Sequence, residues 1–224
     1  MANKKKKVEV NEFDETIAAS KSFYEKNKKA ILYGGGSVLA IIIAVLLIHQ
    51  FYITPRNQKA SSALAKAEQL FMDGRYETAL NGDSIDNIGF LDVIDQYGST
   101  KAGNLAHMYA GICYAQQGKY EDAIKELKSF NDCGDTMISP AAVGALGNCY
   151  AEIGDLKKAT DYLLKAAAKA DNNTLSPIFL LQAGQLFENQ NQVKEALDCY
   201  EQIRQKYQNS PQGMEVNKYI ERLK

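Results

Sequence analysis

Three stretches of the chain repeat one another: "YAGICYAQQGKYEDAIKEL" at 109–127, "ALGNCYAEIGDLKKATDYL" at 145–163 and "LQAGQLFENQNQVKEALDCY" at 181–200. Each carries a glycine (Gly111, Gly147, Gly184) and an aromatic three residues on (Tyr114, Tyr150, Phe187). A polar turn and an alanine follow (Ala123, Ala159, Ala196), the alanines 36 and 37 residues apart. A unit of this size cannot bury its apolar face alone and must stack on its neighbours. Within a unit the pattern reads as two helices joined by a tight turn. The glycine lets the helices approach, the aromatic fills the space between them, and the alanine sits at the crossing, where nothing larger fits. Gly118 and Gly154 suit the left-handed residue that closes the first helix; Asn191 takes that place in the last unit. A weaker first unit, "ALAKAEQLFMDGRYETAL" at 63–80, supplies Ala67, Leu70, Gly74, Tyr76 and Ala79.

This pattern resembles the tetratricopeptide repeat. The resemblance covers roughly residues 60–208 and implies an all-α solenoid of about four helix–turn–helix units. The units fall near 60–100, 104–137, 140–173 and 177–210, and residues 211–224 read as a cap on the exposed end of the stack. Ala79 lies 44 residues before Ala123, so about eight to ten residues are inserted there. The insert reads as "NGDSIDNIG" at 81–89, followed by a helix from Phe90 to Tyr97 and a turn. Asp83 and Asp86 lack the spacing of a calcium loop, so a solvated loop is expected.

Residues 30–55, "AILYGGGSVLAIIIAVLLIHQFYITP", hold no charged side chain in a chain that is 24% charged. As a helix they extend about 39 Å, and a bilayer core is about 30 Å thick. Val38 to Ile48 shows no polar face of the kind a soluble helix keeps. Tyr33, Phe51 and Tyr52 sit where interfacial aromatics belong, and Pro55 is expected to end the helix. These features predict a transmembrane helix over 30–54. A cleaved signal is the rival. It fits worse, because 29 residues precede the apolar run, and the A-x-A match at Ala63–Ala65 lies inside a predicted helix. Gly36, Ala40 and Ala44 form a small-residue face that permits close contact with another span, in a homodimer or with a partner.

Eight lysines precede the span, and only Arg56, Lys59 and Lys66 follow it within twenty residues. Basic flanks stay cytoplasmic. The expected topology is a cytoplasmic tail over 1–29 and a translocated domain over 55–224, in the periplasm if the cell is bacterial. The tail has eight basic and five acidic residues, and the translocated part 18 and 22, so neither has the basic balance of a nucleic-acid binder. Phe13, Ile17 and Tyr24 give the tail helical spacing.

No catalytic constellation is present: no G-x-S-x-G, phosphate loop or H-E-x-x-H. No enzyme, cofactor or metal is expected. His49 lies at the outer end of the span, and His107 falls at a packing position between helices. Cys113, Cys133, Cys149 and Cys199 form no C-x-x-C pair, and stacked helices stand too far apart for a bridge between Cys113 and Cys149. Buried free thiols are expected.

Function must then come from surfaces. The family resemblance implies a groove lined by the first helix of each unit. Its positions here are Glu68, Phe71, Met72, Met108, Ile112, Gln116, Asn148, Glu152, Ile178, Gln182, Gln185, Glu188 and Asn189. None is Lys or Arg, which argues against the carboxylate-clamp type of repeat domain. Asn148 and Gln185 hold one position in consecutive units and suit hydrogen bonding to an extended or unfolded peptide. In layout the chain resembles bacterial single-span repeat proteins, above all the ancillary subunit family of the Sec translocon. That resemblance implies a membrane-anchored, chaperone-like scaffold that binds proteins. An envelope-organisation or division scaffold, or a signalling and regulatory role, stands beside it.

Overall fold

The computed structural model describes residues 2–83 and 88–224, and the side chains of 17–30, 32–83 and 88–224. The side chains of Lys4–Lys7 and Phe13, and residues 84–87 of the insert, Asp86 among them, lie outside what is described. The chain divides into two units, Met1–Pro55 and Arg56–Lys224.

The first unit is α1, Ala2–Ile48, followed by a π-helical turn, His49–Ile53. One helical stretch of the described chain, from Leu32 on, is long and apolar enough to cross a membrane, and its apolar window has no buried residue. Leu32, Ile41, Leu46 and Ile48 are all more than half exposed. Pro55 does not end the helix, against expectation: it is the second residue of α2, Thr54–Met72. The first turn of a helix needs no amide donor from its residues, so proline is tolerated there. The π turn absorbs the mismatch, with the Thr54 amide donating to the His49 carbonyl five residues back.

The second unit continues with α3 (Tyr76–Asn81), α4 (Phe90–Tyr97), α5 (Lys101–Gln116), α6 (Tyr120–Ser129), α7 (Ile138–Glu152) and α8 (Leu156–Ala170). It closes with α9 (Ser176–Asn189), α10 (Val193–Lys206), α11 (Pro211–Glu215) and α12 (Asn217–Arg222). The helices pair in chain order, α5 on α6, α7 on α8 and α9 on α10, and each pair stacks on the next. The stack follows from the repeat. Ala79, Ala123, Ala159 and Ala196 are all 0% exposed. A Cβ on Gly111 would lie 2.6 Å from Leu127, and one on Gly184 would lie 2.4 Å from Tyr200. The turns within units close through left-handed residues, Gly74, Gly118, Gly154 and Asn191 at φ 59°, and a left-handed Asp171 at φ 42° ends α8.

Three core clusters follow one another along the stack. Ala60 to Leu70 of α2 pack with Leu80, Phe90, Val93 and α5. Met108, Ile124, Leu127, Leu146 and Tyr150 form the middle. Leu163, Phe179, Tyr200, Ile203, Val216 and Ile220 form the last. The cap is two short helices rather than one, because the chain turns at Val216 to bury both Val216 and Ile220.

Two corners share one local design. Tyr97 ends α4, Thr100 caps α5 and Gly103 follows; Tyr207, Ser210 and Gly213 repeat this before α11. Each hydroxyl donates to the tyrosine carbonyl at 2.7 Å. It accepts from the glycine amide at 3.1 and 3.0 Å.

The loop before α7 is held by Asp135. Its carboxylate accepts from the amides of Met137, Ile138 and Ser139 and from the Ser139 hydroxyl, the last at 2.7 Å. The Ser139 hydroxyl first, then those amides, hold the carboxyl down at about 2 against the opposing effect of burial. A lowered carboxylate pKa stabilises the fold above the unfolded value, near 3.9, and the gain is lost as pH falls through the folded value. Asp135→Ala is therefore expected to cost about 1 kcal/mol at neutral pH. In denaturant melts, the gap from the parent should close between about pH 4 and pH 2. A gap that persists at pH 2 would refute the carboxylate as its source.

Candidate functional site: the first helices of the repeat units

The groove positions lie on α2, α5, α7 and α9, the first helices of the four units. Met72, Gln116, Asn148, Glu152, Gln185 and Asn189 are exposed, and Glu68, Phe71, Ile112, Ile178, Gln182 and Glu188 are half-buried. Met108 is only 7% exposed and belongs to the middle core, so it is not an open wall as the structure stands. Phe71 is edge-on to Tyr76, Phe90 and Tyr109 in an aromatic group that seats α4. Ile112 and Ile178 pack against the middle and last clusters.

The acids of this face are tied down. Glu68 is hydrogen-bonded to Tyr109 and Glu152 to Tyr120, and each pair, with burial, raises the phenol pKa. Glu188 accepts from the Tyr200 hydroxyl at 2.9 Å and pairs with Arg222 at 2.8 Å. Sequence reasoning missed these phenols and the cap arginine, since their partners come from other helices. The amides are different. Among the described residues, Asn148 and Gln185 have no hydrogen-bond partner. The Gln182 side-chain carbonyl is buried and equally unpartnered.

His107 packs as expected, its Nδ1 2.8 Å from Glu126. All four cysteines are free. Cys113, Cys149 and Cys199 are buried, and burial pushes their thiols up to about 12, 11 and 12. Cys133 departs from the expectation: it is exposed, because it lies in the loop between α6 and α7 rather than on a packed helix. No cluster of His, Cys, Asp and Glu able to hold a metal occurs among the described residues. In the first unit Gly36, Ala40 and Ala44 are exposed, and nothing stands within 4 Å of a Cβ placed on Gly36.

A family model described as tetratricopeptide repeat matches residues 105–132 and 179–210. No curated protein matches the chain. Among solved structures, the MamA protein is similar over 73% of this chain and 87% of its own, at 18% identity and TM-score 0.53. A second MamA structure covers 70% and 91%, at 20% identity and TM-score 0.51. A Podosopora anserina kinesin light chain structure, titled as having nearly identical TPR-like repeats, covers 75% and 86%, at 13% identity and TM-score 0.57. Likeness at these identities speaks for the fold alone. The chain thus carries tetratricopeptide repeats at 105–132 and 179–210 and folds as an interaction solenoid of that kind.

Proposed function

We propose that this protein is a membrane-anchored scaffold that binds extended segments of other proteins along the first helices of its repeats. The observation that carries the reading is the pair of exposed, unpartnered amides, Asn148 and Gln185, at one position in consecutive units on a face with no Lys or Arg at the groove positions. Such amides can pair with the backbone of a peptide without selecting its charge. Exposed apolar residues from Leu32 to Ile53 support an anchor, and the lysine bias before them supports a cytoplasmic N-terminus with the solenoid in the periplasm. The resemblance in layout to the ancillary Sec translocon subunits supports a chaperone-like place beside the translocation machinery.

Cys133 supplies a native topology probe, as the one exposed thiol among four. A membrane-impermeant maleimide should label it in cells whose outer membrane alone is permeabilised; protection until the inner membrane is broken would refute the orientation. A photoreactive residue at Asn148 should crosslink translocating chains, and one at Ala40 should crosslink translocon subunits. A folded, correctly oriented protein with no adduct at Asn148 would defeat the groove reading. A single fixed partner there would replace chaperoning with a dedicated scaffold.

A further inference from the structure

Two recesses open between the second helices of successive units, away from the amide pair. The first is formed by α6, α7 and α8 and holds about 190 Å³, with Leu127, Phe130, Val143 and Leu146 as its apolar lining and Lys165 and Lys169 at its edge. The second is formed by α8, α9 and α10 and holds about 210 Å³, lined by Leu164, Leu180 and Phe187 and edged by Glu195 and Asp198. They are one site repeated. Leu127 and Leu164, Val143 and Leu180, and Lys165 and Gln202 each stand one 37-residue repeat apart.

What changes between the two is charge. In the first recess Lys169 is already paired with Asp132, within the recess itself. Lys165 has no ion-pair partner among the described residues, nor do Glu195 and Asp198 in the second. One apolar recess thus offers a free cation, and its neighbour offers two free carboxylates. Each has roughly the volume of six or seven waters, room for one large apolar side chain. Between the second helices that flank each recess lies a first helix, α7 between α6 and α8 and α9 between α8 and α10.

We propose that these recesses together receive one amphipathic helix of a partner protein. Two apolar side chains on one face of that helix enter the two recesses. A carboxylate beside the first meets Lys165, and a Lys or Arg beside the second meets Glu195 and Asp198. A uniformly acidic or basic helix places a like charge against one recess and is disfavoured. This surface is distinct from the amide pair and does not depend on the reading above.

The test uses the full chain in detergent and three labelled helical peptides that share leucines at every third or fourth position along one face. One peptide is acidic at one end and basic at the other, one is acidic throughout and one basic throughout. By fluorescence anisotropy the mixed peptide is expected to bind roughly fivefold more tightly than either uniform one. Lys165→Glu is expected to shift the preference to the basic peptide, and Lys157→Glu, a charge reversal on the same helix outside both recesses, to leave it unchanged. Both residues are exposed, so the fold should survive either change, as circular dichroism would verify. The proposal is overturned by a mixed peptide that binds no better than the others, by a preference that ignores Lys165→Glu, or by no saturable binding of any peptide. An equal shift on Lys157→Glu also overturns it, because the preference then follows net charge and not the recess.

Discussion

Tyr200→Ala is expected to loosen the last third of the solenoid by about 4 kcal/mol. Tyr200 is the largest fully buried side chain, at 0% exposure. Its ring fills the space that Gly184 leaves open, and lies 5.3 Å from that of Tyr219. Truncation leaves a cavity that backbone-level packing around Gly184 cannot close. It also strips Glu188 of its phenol donor while Arg222 remains. Tyr200→Phe separates the two effects: it keeps the ring, loses one hydrogen bond and should cost about 1 kcal/mol. A stacked array transmits such damage only to its neighbours. Hydrogen exchange should therefore quicken in α9 to α12 by roughly a thousandfold, with α2 to α5 unchanged. Equal quickening from α2 to α12 would show that the solenoid opens as one unit and would refute the local account.

Gly103→Ala is expected to cost about 3 kcal/mol, although it adds a single methyl to a helix. That methyl would lie 2.2 Å from the Tyr97 carbonyl oxygen and 2.6 Å from the Gly98 Cα. Both neighbours are backbone, so no rotamer change relieves the contact. The corner from α4 into α5 must open, and the Thr100 hydroxyl loses its geometry with both partners. Gly213→Ala meets the same obstacle, 2.2 Å from the Tyr207 carbonyl oxygen, and frees the cap. Gly118→Ala is the comparison, since nothing stands within 4 Å of its Cβ. Its cost is the left-handed conformation alone, about 1 kcal/mol. Equal thermal shifts for Gly103→Ala and Gly118→Ala would show that the corner is not tight.

Much of this was legible because it is local. Gly118, Gly154 and Asn191 mark turns by their own backbone freedom, and Ala123, Ala159 and Ala196 mark crossings by size. The helix from Phe90 to Tyr97 was readable as a whole. The corner was readable too, and missed: tyrosine, then a hydroxyl three residues on, then glycine three further, appears at both 97–103 and 207–213. Pro55 misled because a rule for helix interiors was applied to a first turn. Cys133 misled because the other three cysteines sit on packed helices and it does not.

The groove positions show where sequence reading runs out. The family resemblance placed thirteen residues on the first helices of the units, but did not say which of them remain available. Met108 is taken by the core, and Glu68, Glu152 and Glu188 by phenols from neighbouring helices, while Asn148 and Gln185 keep unspent amides. The outer recesses were equally hidden, since each is assembled from three helices of two units.

The sequence by itself determined the helical repeat, its turns and crossings, and an apolar segment set apart from it. Those features depend on one residue's size, conformational freedom or hydropathy, and the chain carries them at fixed spacing. Only the tertiary structure decided which polar groups are satisfied and which are free, because a hydrogen-bond partner is chosen by proximity in space, and the stacking of one helix on the next sets that proximity.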